Sequence, residues 1–298
     1  VVNFLIKKIP NIELIKILKK EKPDLLIHPS VLEGSYIDDV IFYGNKIKKP
    51  VFVIMNSWDN PLTKRSVVNK DYYLLVWGKQ TKSHAINYMG MDEKRVIDFG
   101  AAQFDLYNNL EDKFKVDKSN DREQKIKTLL YAGSSKFADE FKHLSSIDEA
   151  IKVGNLPKIK VIYRPHPWGQ CGYKGERFKN HIFENIIFDP NMKEYIYRDF
   201  TKDNSKFLPE LKNTKDLLLN VDFVLSPLST ILLEAMMLGK IPICLMPEDE
   251  IHAGHFHMVK KSPHFDEILA NKNVIVINGS EFLINGIKKA YDNSLKIN

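Results

Sequence analysis

Apolar runs of strand length alternate with amphipathic stretches along this chain, and that alternation restricts it to an α/β fold built on parallel sheets. Residues 24–28 (DLLIH), 51–56 (VFVIMN), 72–77 (YYLLVW) and 96–100 (VIDFG) read as four buried strands. Helices are expected between them over 12–20, 37–47 and 81–89. Pro23 and Pro50 each stand just before a strand, where a proline stops the preceding helix. The pattern breaks at 109–127 (NLEDKFKVDKSNDREQKIK), which is almost entirely polar, and then restarts. Six further strands are expected at 128–132, 160–163, 186–188, 223–225, 241–245 and 274–277, with helices around 139–153, 212–220, 229–238 and 281–291. Two successive α/β units joined by a polar connection predict two Rossmann-like domains, 1–118 and 119–298, facing each other across a cleft. The first half carries only four strands and no opening strand with a Gly-rich turn, and the chain starts at Val1 without a methionine. The N-terminal domain is therefore expected to be incomplete.

Composition narrows the class further. With 44% hydrophobic residues the chain has enough apolar surface for a packed core, which sets aside a disordered reading. Cys171 and Cys244 are too few and too far apart for a disulfide framework or a zinc ribbon, and they fit a reducing cytosol. No apolar run approaches the ~20 residues of a membrane span, and no signal peptide opens the chain, so a cytoplasmic protein is expected. The formal net charge of +6 suits anionic ligands or a membrane surface. Lys7, Lys8, Lys16, Lys19, Lys20 and Lys22, with Lys46, Lys48 and Lys49, read as solvated helix faces or as a peripheral contact with anionic lipid at the inner membrane face. No nucleic-acid-binding module is present, so nucleic acid is not an expected partner.

In a parallel sheet, ligands bind beyond the carboxyl ends of the strands, and two segments there stand out. YRPHPW (163–168) follows the strand 160–163. Its two prolines present His166 rigidly, and Arg164 offers a planar fork of donors for a phosphate. The bland alternative is a stiff turn whose histidine caps a neighbouring carbonyl. SPLSTILLEA (226–235) follows the strand 223–225. Ser226 before Pro227 reads as an N-cap, and Gly239 as the C-terminal stop. The hydroxyls of Ser226, Ser229 and Thr230 then gather with free backbone N–H groups at a helix N-terminus, an anion site. Glu234 lies one turn beyond Thr230 and could accept hydrogen bonds from a ribose diol. Plain helix capping would require Ser226 alone.

Together, RPHP and SPLSTILLEAMMLGKIPIC resemble the donor half of GT-B fold glycosyltransferases that build bacterial surface polysaccharides. NSWDNPLTK (56–64), DYYLLVWG (71–78) and GAAQFD (100–105) fit the same layout. The resemblance implies a nucleotide-sugar donor (CMP-, UDP- or GDP-linked) and a glycan or lipid-linked glycan acceptor, with no metal or other cofactor required. It also implies that His166, Ser229 and Thr230 hold the donor phosphate and that Glu234 contacts the ribose. Domain 1–118 would be the acceptor side and 119–298 the nucleotide-sugar side. Teichoic-acid-type polyol-phosphate transferases and non-hydrolysing sugar-nucleotide epimerases share the architecture, and a non-catalytic nucleotide-binding assembly partner is a third reading.

An inverting transfer needs a base for the acceptor's proton. His28, Glu33 and Asp59 are the candidates in the first half, and Trp58 beside Asp59 could stack on a sugar face. Asp59-Asn60-Pro61 is equally a good turn sequence. His252, His255 and His257 follow the strand 241–245, close to Glu248, Asp249 and Glu250. Their spacing matches no zinc pattern, and they are read as a loop lining the cleft or as ordinary surface, with a metal site as the minor alternative.

Overall fold

The computed structural model describes residues 2–30, 32, 36–64, 67–107, 126–134, 137–199 and 209–296. It divides into two compact units, Val1–Ala102 and Gln103–Asn298. The division falls ahead of residue 118 because Phe104, Leu106 and Tyr107 pack into the core of the second unit. Most of the polar connection lies outside the described residues.

The first unit is a four-stranded parallel sheet in sequential order: β1 (Leu26–Ser30), β2 (Val51–Met55), β3 (Tyr73–Val76) and β4 (Val96–Asp98). Its core joins Val51, Val53 and Met55 of β2 to Leu74 and Val76 of β3, with Ile37 and Ile41 of the helix Ile37–Lys46 packed against them. Asn11 caps the helix Ile12–Glu21 by accepting from the Leu14 amide at 3.1 Å. Lys22 then turns left-handed (φ 44°) just before Pro23.

The second unit is a six-stranded parallel sheet of β5 (Thr128–Ala132), β6 (Lys160–Arg164), β7 (Ile186–Phe188), β8 (Phe223–Ser226), β9 (Ile241–Met246) and β10 (Ile275–Asn278). Their spatial order is β10-β9-β8-β5-β6-β7. Counted from β5, this is the doubly wound order 3-2-1-4-5-6, whose direction reverses between β5 and β8. Alternate residues of each strand serve opposite faces. Leu129, Tyr131, Val161, Tyr163 and Phe223 meet the helices Glu140–Lys152 and Leu283–Lys296. Leu130, Ala132, Ile162 and Val224 meet Tyr107 and the helices Leu211–Leu219 and Ile231–Met237. Both cysteines are buried here, and burial pushes the Cys244 thiol up to about 12.

All ten expected strands form, within about two residues of their expected ends. A short helix at Ala253–Lys260 replaces the loop expected around the histidines. Among the described residues, no helix is long and apolar enough to cross a membrane.

Candidate functional site

The winding order directs attention to the carboxyl ends of β5 and β8, where the crossovers leave in opposite directions and open a crevice. The last residues of neighbouring strands form a row across this end of the sheet. Ala132 pairs with Arg164, and Tyr163 pairs with Phe188, which precedes Asp189. On the other side Tyr131 pairs with Leu225, so Ser226 comes level with Ala132. The row thus runs Asp189, Arg164, Ala132, Ser226, with one small side chain at its centre.

Arg164 is not presented as a free fork beyond the strand. The strand runs on to residue 164, so its side chain points into the layer beneath the site and is only 6% exposed. Asp189 Oδ2 lies 3.1 Å from Nε without hydrogen-bond alignment, and both terminal guanidinium nitrogens are buried with no hydrogen-bond partner among the described residues. Burial lowers the pKa of Arg164, while Asp189, Glu234 and Tyr107 favour its charge. Arginine remains a cation in such a setting. Tyr107 donates to Glu234 Oε2 at 2.5 Å. Burial raises the Glu234 pKa, against the Tyr107 hydrogen bond and the Arg164 charge, which lower it. One carboxylate oxygen of Glu234 is therefore committed to Tyr107.

His166 stands just beyond β6 and is half-buried. Its Nδ1 accepts from the Trp168 amide at 3.1 Å, which puts the ring proton on Nε2. Burial pushes its pKa down to about 4, so near neutral pH it is a neutral donor. The ring thus accepts an amide in its own turn instead of capping a carbonyl.

Ser226 is not the N-cap of the next helix. It is the final residue of β8, paired with Cys244, and its hydroxyl is fully buried with no partner among the described residues. The chain turns through Ser229 before the helix Ile231–Met237, and Thr230 occupies the N-cap without a side-chain cap bond. The Ser229 and Thr230 hydroxyls are both half-buried at this strand end. Gly239 does terminate the helix, in the left-handed region (φ 68°).

Two features of this end were not foreseen in the sequence. Glu140, the first residue of its helix, is fully buried below the loop that follows β5. Its Oε2 accepts from the Tyr163 hydroxyl at 2.6 Å and its Oε1 from the Ser134 amide at 3.3 Å. A Cβ on Gly133 would lie 2.5 Å from that carboxylate, so the close approach requires glycine. Burial pushes the Glu140 carboxyl up to about 8. Beside it, Tyr131 lies 2.6 Å from His143 Nδ1, and His143 Nε2 lies 2.6 Å from Glu250 Oε1. Burial works against ionisation of Glu250, but the hydrogen bonds from His143, the Asp139 amide and Ser280 outweigh it and hold its pKa low. The readable signal was Gly133-Ser134 directly after the first strand of the unit.

The histidines near 255 sit on a helix, not on a loop. His252 is its N-cap residue, with its ring 5.2 Å from that of Phe137, while the His255 ring is 4.3 Å from Phe137. His257 is exposed, 3.7 Å from Glu248. Among the described residues, no group of three or more His, Cys, Asp or Glu side chains is placed to hold a metal ion.

The candidate bases belong to the first unit. His28 lies in the middle of β1, because that strand continues to Ser30. Burial lowers its pKa, and its Nδ1 is buried without a partner among the described residues. Both Asp59 oxygens are taken up by hydroxyls of its own turn, Oδ1 by Ser57 and Oδ2 by Thr63 at 2.6 Å. Trp58 is buried and so offers no sugar-stacking face. Glu33 lies outside the described residues.

No family model and no curated protein matches the chain. Solved structures do. A UDP-GlcNAc 2-epimerase from Methanocaldococcus jannaschii is 17% identical, with a TM-score of 0.54 over 93% of this chain and 72% of that one. The Neisseria meningitidis UDP-GlcNAc 2-epimerase bound to UDP-GlcNAc gives 13% identity and 0.53 over 95% and 72%. The S. aureus MnaA–UDP complex gives 14% and 0.53 over 94% and 69%. Identities this low speak for architecture. The chain has a GT-B-like α/β fold with two parallel sheets, of four and six strands.

Proposed function

We propose that the second unit binds the phosphate and ribose of a nucleotide-sugar, and that the chain is a metal-independent glycosyltransferase acting on a surface glycan or lipid-linked glycan. The observation that carries this reading is the grouping of donors at the switch point of the sheet. His166 follows β6 and Ser229 and Thr230 follow β8, on either side of β5, above a buried arginine whose terminal nitrogens have no partner among the described residues. Neutral N–H and O–H donors would take the leaving phosphate, with the Arg164 charge beneath them supplying positive potential. The second carboxylate oxygen of Glu234 would take a ribose hydroxyl while Tyr107 holds the carboxylate in place. With Asp59 tied into its turn, His28 and Glu33 remain as candidates for the base.

The test is thermal unfolding with CMP, CDP, UDP and GDP. A ligand at about 100 times its Kd stabilises by roughly 2.7 kcal/mol, so one of the four is expected to raise the Tm clearly. His166→Ala removes a hydrogen bond to a charged group and should weaken that nucleotide about tenfold or more. Failure of all four nucleotides, or full affinity in His166→Ala, would overturn the phosphate site. Product analysis then separates reactions on the same fold. Free nucleotide released only with acceptor supports transfer, whereas a changed sugar still on its nucleotide supports epimerisation.

A further inference from the structure

The opposite end of the second sheet carries a site of different chemistry. Where β9 and β10 begin, a groove of about 700 Å³ runs over buried Pro242 and Ile275. Lys240 and Lys272 rim it from the segments leading into the two strands, and Lys289 and Lys296 from the helix Leu283–Lys296. No carboxylate contributes to the lining. Lys240 donates to the Leu219 carbonyl at 2.8 Å. Lys272, Lys289 and Lys296 have neither an ion-pair nor a hydrogen-bond partner among the described residues. Asp292, the acidic residue nearest to Lys289 in the chain, lies outside the lining. Asn271, Asn273 and Asn293 line the groove together with the lysines.

Like charges collected round a concavity with no acidic side chain in its described lining repel one another, and an anion in the groove relieves that repulsion. Its volume falls in the range of ligand clefts, about 300–1,000 Å³, which exceeds what a single phosphate fills. The lysines supply donors for negative groups, whereas asparagine both donates and accepts, as hydroxyl recognition requires. The trough is concave with a recessed floor, a form suited to a chain lying in it and not to a flat bilayer. We propose that this groove binds a hydroxyl-bearing chain with repeated negative charges, an anionic saccharide or a polyol phosphate. The groove uses none of the residues assigned to the nucleotide and stands whether or not that reading holds.

The probe is a fluorescent oligogalacturonate of about ten units, titrated with the full chain at low and moderate salt, where screening of exposed charges sets the contrast. Neutral dextran, an oligonucleotide of equal charge, anionic vesicles and oligoglycerol phosphate serve as the other arms. The triple variant Lys272→Gln/Lys289→Gln/Lys296→Gln should bind about tenfold more weakly, or roughly 1.4 kcal/mol. Lys79→Gln/Lys94→Gln/Lys158→Gln makes the same change in net charge at exposed positions far from the groove in sequence and should bind almost as the parent does. Better binding of oligoglycerol phosphate than of oligogalacturonate supports the proposal and identifies the phosphate form. Equal losses in both triple variants would reduce the effect to net charge and overturn it. So would dextran binding as well as the charged probe, tighter binding of the oligonucleotide or vesicles, or no binding at all. If the groove triple loses its folded Tm, the single variant Lys289→Glu replaces it and should weaken binding in the same direction.

Discussion

Asp189→Ala should destabilise the second unit by about 3–5 kcal/mol in urea unfolding, because it leaves the Arg164 cation buried without its nearest counter-charge. The substitution also removes the acceptor for the Asn191 amide at 3.0 Å, which starts the turn Pro190–Met192. Arg164→Met should be much milder. It removes the charge together with its desolvation burden and leaves a side chain of similar length to fill the layer below Ala132. The two variants should separate again in nucleotide binding. Asp189→Ala retains the cation beneath the proposed phosphate site, whereas Arg164→Met removes it and should weaken the nucleotide even where folding is intact. If Asp189→Ala matched the parent within about 1 kcal/mol, the row of strand ends would not be a coupled charge pair, since removing one partner of such a pair costs about 3–5 kcal/mol.

Glu140 should make stability fall as pH rises. Its folded-state pKa, about 8, lies above the 4.5 of an ordinary glutamate, so between those values the folded chain holds a proton that the unfolded chain has released. The contribution of this group is fully present below pH 4.5 and is lost as pH rises through 8. Against Glu140→Gln, which keeps the shape and does not titrate, the parent should lose about 1.4 kcal/mol per pH unit across that interval. The measurement is the pH dependence of the difference in unfolding free energy between the two proteins. A flat difference from pH 5 to 8 would show that Glu140 is ionised throughout. Glu140→Ala is a separate matter, because it leaves the Tyr163 hydroxyl and the Ser134 amide without their acceptor and should destabilise at every pH.

The strands of the second unit were legible because strands buried on both faces need near-continuous β-branched and aliphatic runs, such as TLLYA and IPICL, whereas β1 and β4 of the first unit leave Ile27 and Ile97 exposed. The helix Ala253–Lys260 was not, since AGHFHMVK contains a glycine and two histidines and buries only Phe256. His166, Ser229 and Thr230 fall at the strand ends where the sequence placed them. The sense of Arg164 depended on one residue: with β6 extended to 164, its side chain joins the face of Ile162. Glu140 was hidden because its burial requires room made by Gly133 in the preceding loop and by Gly172, 32 positions further on. Tyr107 and Glu234 meet across 127 positions, a distance at which local pattern carries no information.

The uniform direction of the strands has a consequence for how such a chain can change. In the second unit β5, β6 and β8 are core-patterned runs, and the polar residues His166 and Ser229 come only after the last paired positions, Arg164 and Ser226. Selection can therefore rewrite those few trailing residues while the packed faces remain intact. Specificity becomes an interchangeable tip on a fixed stem, and proteins sharing the stem at 13–17% identity are free to differ in the reaction carried at its tip.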